Sequence, residues 1–196
     1  MHLKSRKLVV ATNNSHKLKE IEQILEGFEI IPAREVSKSF NPEEKGSSFC
    51  ENALIKAREL KKFTELPVLA DDSGLEVFAL GGEPGVFSSR YSKEGSDESN
   101  LRKLLLNLEG IKDRRARFVC CMVLIVGDRV IKKEGFVYGN IIEEPRGKGG
   151  FGYDPVFVPD GYDKTFAEMS GDEKNAISHR RRALELIKGE LEAMYE

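Results

Sequence analysis

Residues 7–26 read KLVVATNNSHKLKEIEQILE, and this stretch decides the class of fold. The segment KLVVAT has a central run of four apolar residues, which is typical of a buried strand. A turn over Asn13–Ser15 follows, and four apolar residues then recur at helical spacing, which predicts a helix from about His16 to Glu26. These four are Leu18, Ile21, Ile24 and Leu25. A strand that runs directly into a helix is the repeating unit of α/β folds.

The remaining sequence extends this pattern. Capping boxes at Ser48/Glu51 and Ser170/Glu173 predict two helix starts, and Gly127-Asp128 separates two strand-like runs as in a hairpin. The further predicted helices cover about 49–63, 98–108 and 171–194, and the further strands cover 28–31, 68–70, 117–126, 129–138 and 153–158. A polar connection over 32–46 has the length of a functional loop. We therefore expect one α/β domain over residues 1–196, with a mixed sheet flanked by helices.

Composition excludes several classes of protein. The chain has 196 residues, 40% of them hydrophobic, and a net charge of −2, which argues against disorder and against a strongly basic nucleic-acid-binding protein. The longest apolar run, Phe118–Val126, is too short to cross a bilayer, and the start of the chain lacks a leader-like apolar stretch. Three cysteines without a C-x-x-C pattern predict buried, reduced thiols. A cytoplasmic protein is expected.

The turn between the first strand and helix is the first candidate site. Thr12, Asn13, Asn14 and Lys17 lie where backbone N–H groups at a helix N-terminus and the helix dipole attract an anion. Lys17 adds a positive charge one turn into the helix. The alternative is an ordinary helix cap with a solvated lysine.

Acidic pairs form the second candidate site. Asp71-Asp72 closes an apolar strand, and Glu43-Glu44 lies in the long polar connection. Carboxylates from two segments suit Mg²⁺, and a carboxylate beside such a metal can accept a proton from water. The alternatives are a D-D-S-G turn and solvated loop charges.

Two further stretches bear on ligand binding. The segment 147–152, GKGGFG, satisfies G-x-G-x-x-G, but it leads into a strand instead of opening a helix, so a dinucleotide site is not predicted. Phe151 and Tyr153 could offer a ring to a base, and the alternative is a glycine-rich loop whose aromatic side chains pack into the core. Arg180 falls on the apolar stripe of the last helix, where a guanidinium needs a carboxylate, carbonyl or phosphate partner. The equal alternative is a structural ion pair, or an arginine that snorkels past a short core segment.

Eight segments in this order carry a family resemblance. They are residues 11–17 (ATNNSHK), 42–46 (PEEKG), 49–53 (FCENA), 71–75 (DDSGL), 81–91 (GGEPGVFSSRY), 150–155 (GFGYDP), 165–169 (TFAEM) and 173–180 (EKNAISHR). Together they closely resemble the inosine triphosphate pyrophosphatases, which hydrolyse deaminated purine nucleoside triphosphates. The resemblance implies an elongated mixed α/β fold of two lobes with a central cleft, usually a homodimer.

The resemblance also implies a role for each matching residue. Mg²⁺ would be bound by Glu43, which the P-E-x-x-G frame favours over Glu44, and by Asp72, which would also accept the proton of the attacking water. Ser73 would touch the substrate. The triphosphate would be held by Thr12, Asn13, Asn14, Ser15, His16 and Lys17. The nucleotide, mainly its base, would be bound by Phe151, Gly152, Tyr153, Asp154, Lys174, His179 and Arg180.

The expected function is therefore Mg²⁺-dependent hydrolysis of ITP, dITP and XTP to the monophosphate and pyrophosphate. Two other classes remain open. One is a nucleotide-binding module without catalysis. The other is a single-stranded nucleic-acid binder that uses Arg180–Arg182 with Phe151 and Tyr153, although the net charge argues against stable nucleic-acid binding.

Overall fold

The computed structural model describes residues 5–195 and contains one six-stranded sheet. The strands are β1 (Lys7–Val10), β2 (Glu29–Pro32), β3 (Val68–Val77), β4 (Arg115–Val126), β5 (Arg129–Ile141) and β6 (Phe157–Pro159), in the order β2-β1-β3-β4-β5-β6. Strand β1 pairs in parallel with β2 and β3, whereas β5 and β6 are antiparallel. The predicted mixed sheet is confirmed. The prediction about a leader concerns residues 1–4 in part, and these lie outside the described residues.

Residues 5–195 contain six α-helices, two of which begin directly after the predicted capping residues Ser48 and Ser170. They are α1 (Ser15–Ile24), α2 (Ala33–Val36), α3 (Phe49–Lys61), α4 (Asp97–Asn107), α5 (Gly171–Ile177) and α6 (His179–Ala193). The side chain of Asn14 accepts hydrogen bonds from the backbone N–H groups of His16 and Lys17, and Ser48 accepts one from Glu51. Ser170 and Glu173 form the complete reciprocal capping box. These side chains satisfy donors that a helix N-terminus leaves without backbone partners.

Three of the differences from the predicted element boundaries bear on the candidate site. Strand β3 continues through the D-D-S-G segment to Val77, so this segment is extended and the predicted turn alternative is wrong. Residues 154–156 form a 3₁₀ turn containing Pro155, which shortens the predicted strand 153–158 to β6. The last predicted helix is interrupted at Ser178, whose ψ of 151° is extended and separates α5 from α6.

The described residues divide into two compact units, each with its own apolar core. The first unit comprises residues up to Asp72, Cys120–Gly135 and residues from Arg180 onward, and its core contains Leu8, Met122 and Leu184. The second unit comprises Ser73–Val119 and Phe136–His179, and its core contains Leu104, Phe118 and Phe157. No helix formed by residues 5–195 has the length and apolar composition that crossing a bilayer requires.

The cysteines correct the prediction of reduced thiols. Cys50 of α3 and Cys121 of β4 form a disulfide across 71 residues of sequence, and only Cys120 is a free, buried thiol. Consecutive strand residues point to opposite faces, so Cys121 faces α3 while Cys120 joins the core of the first unit. Because the partners are distant in sequence, no local spacing could reveal the bond. Closing a loop of this length stabilises the folded chain by about 4 kcal/mol in the chain-entropy treatment.

Arg114 joins the end of α4 to strand β5 within the second unit. Its guanidinium donates to the carbonyl oxygens of Leu108, Ile141 and Ile142 at 3.0, 2.7 and 3.1 Å. We expect Arg114→Ala to lower the free energy of unfolding by about 2–4 kcal/mol, because it leaves several carbonyls without a charged donor. Arg115→Ala is the matched control, since Arg115 is exposed and pairs with exposed Asp113. Urea unfolding gives the free energy of unfolding of both variants. Equal losses in the two variants would contradict the stabilising role assigned to Arg114.

Candidate active site

The turn after β1 is shaped by its own polar side chains. Thr12 Oγ1 accepts a hydrogen bond from Asn14 N at 3.1 Å, and Asn13 Oδ1 accepts one from Arg34 N at 2.8 Å. Asn14 caps α1 through His16 N and Lys17 N at 3.0 and 3.2 Å. The predicted triphosphate residues from Asn13 to His16 are exposed, and Lys17 is half-buried. The turn thus presents a helix N-terminus together with a lysine, which is an arrangement that binds anions.

Lys17 belongs to a buried group of alternating charges in the first unit, which we call the Asp71 cluster. Its Nζ lies 3.1 Å from Asp71 Oδ2, and Arg180 Nε lies 3.7 Å from the same oxygen. Arg180 Nη1 donates to Glu20 Oε2 at 2.8 Å. Burial alone would raise the pKa of Asp71, but the charges of Lys17, Arg180 and Lys56 hold it well below its usual range. Asp71 is therefore a permanently ionised partner of two cations.

Asp72, the next residue of β3, points to the opposite face and meets helix α3. Asn52 Nδ2 donates to Asp72 Oδ2 at 3.1 Å. Burial raises the pKa of Asp72 to about 6, with Lys56 opposing the rise and the carboxylates of Glu44 and Asp71 adding to it. The contrast with Asp71 follows from the alternation of side chains along a strand. Within residues 5–195, Asp72 has no ion pair like those of its neighbour, so its negative charge is costly.

Lys56 and Glu44 complete this second group, and with Asn52 and Asp72 they form the Asp72 cluster. Lys56 Nζ lies 2.8 Å from Glu44 Oε1, and their side chains are only 14% and 30% exposed. Although burial lowers the pKa of Lys56, the negative charges of Asp71, Glu44 and Asp72 raise it above its usual value. Lys56 is not among the residues predicted to form the site. A signal existed, because Lys56 follows Asn52 by four residues and shares the buried face of α3.

The structure favours Glu44 over Glu43 as the second carboxylate, which is the reverse of the choice made from the P-E-x-x-G frame. The Glu43 side chain is 72% exposed and pairs with Lys45. Adjacent loop residues project in different directions, and here Glu44 is the one whose charge acts on Asp72. Two carboxylates from separate segments, one of which raises the pKa of the other, form a donor set that suits a hard divalent cation. The residues present therefore fit Mg²⁺.

The predicted base-binding residues of the second unit gather around Asp154. Asp154 Oδ2 accepts hydrogen bonds from Lys174 Nζ and from Phe151 N, the latter at 3.1 Å. Lys174 Nζ lies 4.6 Å from the centre of the Phe151 ring, which is 63% exposed. Gly150 has a φ of +68°, and a Cβ there would lie 2.1 Å from Asp154 Oδ2, so only glycine fits. Gly152 N donates to Asp97 Oδ2 at 2.9 Å.

The remaining predicted residues are placed differently. Tyr153 is buried in the core of the second unit, and its hydroxyl donates to Ser88 O at 2.6 Å, so the stacking role predicted for it does not fit. The His179 ring is buried and stacks on Phe118 with centroids 5.1 Å apart. Ser73 follows Asp72 on β3 and is half-buried. Arg180 lies in the Asp71 cluster of the first unit, as its ion-pair alternative predicts.

The raised pKa of Asp72 predicts how stability depends on pH. The pKa of Asp72 is about 6 in the folded protein and 3.8 ordinarily, so ionisation is less favourable in the folded state. The ionised carboxylate therefore destabilises the fold above pH 6, and this cost disappears below pH 4. We therefore expect Asp72→Asn to raise the free energy of unfolding of the metal-free protein by up to about 3 kcal/mol at pH 8. At pH 4 the two proteins should be nearly equally stable, and denaturant unfolding at both pH values tests this. A uniform change at both would contradict the assigned pKa.

Comparison with known proteins adds an independent line of support. The model of the Ham1 family matches residues 8–190. The dITP/XTP pyrophosphatase of Clostridium perfringens is 46% identical over 202 residues, covering 96% of this chain and 98% of that protein. The dITP/XTP pyrophosphatase of Aquifex aeolicus is 48% identical over 190 residues, covering 91% and 93% of the two chains. The solved structure of the Staphylococcus aureus Ham1 protein matches with a TM-score of 0.91 and 43% identity, covering 95% of this chain and 98% of that one. By sequence and by fold, the chain belongs to the Ham1 family.

Proposed function

We propose that the protein hydrolyses deaminated purine nucleoside triphosphates, namely ITP, dITP and XTP, to the monophosphate and pyrophosphate. The observation that carries the proposal is the Asp72 cluster, in which a carboxylate of raised pKa lies near a second carboxylate and a buried lysine. The names of the relatives, dITP/XTP pyrophosphatases, support the same substrate class. Removal of such nucleotides would keep them from polymerases.

Mg²⁺ would be held by Glu44 and Asp72. When bound, the cation neutralises phosphate charge and makes water a better nucleophile. Asp72 would accept the proton of the attacking water on Oδ1, because Asn52 already donates to Oδ2. Lys17 and the N-terminus of α1 would bind phosphate oxygens and stabilise the charge that develops on them. Lys56 would keep the Glu44 carboxylate oriented.

Recognition of the base is assigned to the residues around Asp154. The exposed Phe151 ring would stack on the purine, with Asp154, Lys174 and His179 as polar neighbours of the base. A buried donor that pairs with a 6-oxo group would be left unpaired by the 6-amino group of adenine, and such mismatches discriminate strongly. The protein should therefore reject ATP.

The two alternative functions can be weighed against the structure. The single-stranded nucleic-acid alternative loses much of its support, because Tyr153 is buried and Arg181 pairs with Glu185 at 2.8 Å. The binding module without catalysis differs from the proposal only in turnover. A homodimer and a cytoplasmic location remain predictions, and sedimentation velocity would test the first of them.

A panel of nucleoside triphosphates, assayed separately for pyrophosphate and orthophosphate, tests the proposal. We expect equal amounts of pyrophosphate and monophosphate from ITP, dITP and XTP in the presence of Mg²⁺, and much slower turnover of ATP. Asp72→Asn is the control for catalysis, since an amide cannot accept the proton. Release of orthophosphate would contradict cleavage between the α- and β-phosphates. Binding of dITP without turnover would leave the binding module as the function.

The assignment of the metal ligand predicts an asymmetry between adjacent residues. Glu44→Gln should raise the Mg²⁺ concentration for half-maximal turnover by about tenfold or more, because it removes a charged ligand. The matched control Glu43→Gln should change it less than about twofold, since Glu43 is 72% exposed and pairs with Lys45. Metal titrations at saturating dITP decide between them. A larger increase in the Mg²⁺ requirement for Glu43→Gln than for Glu44→Gln would identify Glu43 as the ligand.

Arg180 gives a prediction with two separable parts. Its guanidinium carries five N–H donors, more than its contacts to Glu20 and Asp71 use. We expect Arg180→Ala to lower kcat/KM for ITP by about ten- to a hundredfold and that for ATP much less, because a charged donor to the base oxygen is lost. Breaking the buried pair should also lower Tm.

The matched control is Arg181→Ala, which removes a neighbouring guanidinium with an exposed partner. It should leave both the ITP-to-ATP ratio and Tm nearly unchanged. A parallel loss of both substrates in Arg180→Ala would assign Arg180 to phosphate. A lower Tm with an unchanged ratio would reduce it to a structural ion pair.

A further inference from the structure

The disulfide described above lies at one end of the proposed catalytic group. Cys50 is in the first turn of α3, two residues before Asn52 and six before Lys56, which contact Asp72 and Glu44 respectively. Its partner Cys121 is wholly buried on β4. We propose that the Cys50–Cys121 disulfide is a positioning cross-link that fixes the first turn of α3 and thereby the Asp72 cluster. The inference rests on the proposed function, because that function gives the cluster its catalytic role.

The side chain of Asn52 is the connection between the cross-link and the cluster. Its Oδ1 accepts a hydrogen bond from Gly46 N at 2.7 Å, and its Nδ2 donates to Asp72 Oδ2 at 3.1 Å. Gly46 ends the segment that carries Glu44, so one amide orients both proposed metal ligands. The fit is close, since a Cβ on Gly46 would lie 2.6 Å from Asn52 Oδ1. A small displacement of the first turn would therefore disturb both contacts.

Three further hydrogen bonds of this turn are local. Ser47 N and Ser47 Oγ donate to Glu51 Oε2 at 2.7 and 2.9 Å, and Glu51 N donates to Ser48 Oγ at 3.1 Å. These hydrogen bonds shape the start of the helix but join it only to itself. The disulfide to β4 and the hydrogen bond from Asn52 to Asp72 attach this turn to the rest of the first unit. Position at the scale of a few tenths of an ångström is what a metal-ligand contact requires.

The cross-link can be opened without a substitution by a dithiol reductant. A thiolate of the reductant attacks Cys50 Sγ, which is the more accessible sulfur, the S–S bond breaks, and Cys121 leaves as a thiolate that takes up a proton. The second thiol of the reductant then displaces Cys50 as a thiol, and the reductant is released as its disulfide. Glu134 Oε1 lies 3.6 Å from Cys50 Sγ, so its negative charge opposes the first attack. Glu134→Gln should accordingly speed reduction.

The test compares Cys50→Ser, Cys121→Ser and the double variant with Cys120→Ala, which removes the free buried thiol and keeps the cross-link. All are assayed well below their Tm. Each of the first three should lower kcat for dITP, raise the Mg²⁺ requirement by about tenfold and leave KM within about twofold. The double variant should lose no more kcat than either single variant, because all three variants lack the same disulfide. Cys120→Ala should behave as the unmodified protein.

Two readouts do not depend on turnover. Thiol titration in denaturant should find one free thiol before reduction and three after it, since only Cys120 is unpaired. Titration with Mn²⁺, followed by electron paramagnetic resonance without nucleotide, should show weaker binding once the bond is open. If dITP is not hydrolysed at all, the proposed function fails while these two measurements still decide the positioning role.

Three outcomes would overturn the inference. The first is three free thiols without reductant. The second is a lower Tm in the serine variants with unchanged kcat and metal binding, which would make the disulfide a source of stability alone. The third is loss in the double variant equal to the sum of the single losses, as expected for packing of two independent side chains. Should Cys121→Ser fail to fold, reduction of the unmodified protein supplies the same comparison.

Discussion

Asp71 and Asp72 are consecutive residues of a buried strand, so their carboxylates lie on opposite faces of the sheet, and much of the candidate site depends on this alternation. Asp71 meets Lys17 and Arg180, whereas Asp72 meets Asn52 of α3. The negative charge of Asp71 is neutralised within the protein by these two cations. Asp72 has no such ion pair within residues 5–195, and its pKa is raised to about 6. The same backbone thus carries a structural anion and a reactive one.

The two carboxylates make opposite contributions to stability. The Asp71 cluster joins β3 to α1 and α6 through charges that would be costly if any one of them were removed. The Asp72 cluster costs stability at neutral pH, because burial opposes the ionised form. Proteins tolerate such a cost at functional sites, where a bound cation or a proton transfer uses the unfavourable charge. The opposite electrostatic environments of Asp71 and Asp72 indicate a structural role for Asp71 and support the catalytic role proposed for Asp72.

Helix α3 links this chemistry to the covalent framework of the first unit. Ser48 caps its N-terminus, while its inner face carries Asn52 and Lys56 toward Asp72 and Glu44. The disulfide from Cys50 to Cys121 holds the same end of the helix. The hydrogen bond to Asp72, the ion pair with Glu44 and the disulfide therefore all involve the N-terminal part of α3. Only the tertiary fold produces this convergence, because α3, the Glu44 segment and β4 are separated in sequence.

The sequence by itself determined the class of fold, the capped helix starts and the identity of most charged residues at the candidate site. These features are local, since strand and helix periodicity and capping hydrogen bonds involve residues within one or two turns. Tertiary structure decided which of two adjacent glutamates acts on Asp72, and it decided that Tyr153 is buried and Phe151 exposed. It also decided that Cys50 meets Cys121. Such choices depend on which face of an element another segment covers, and the packing of distant segments sets that face.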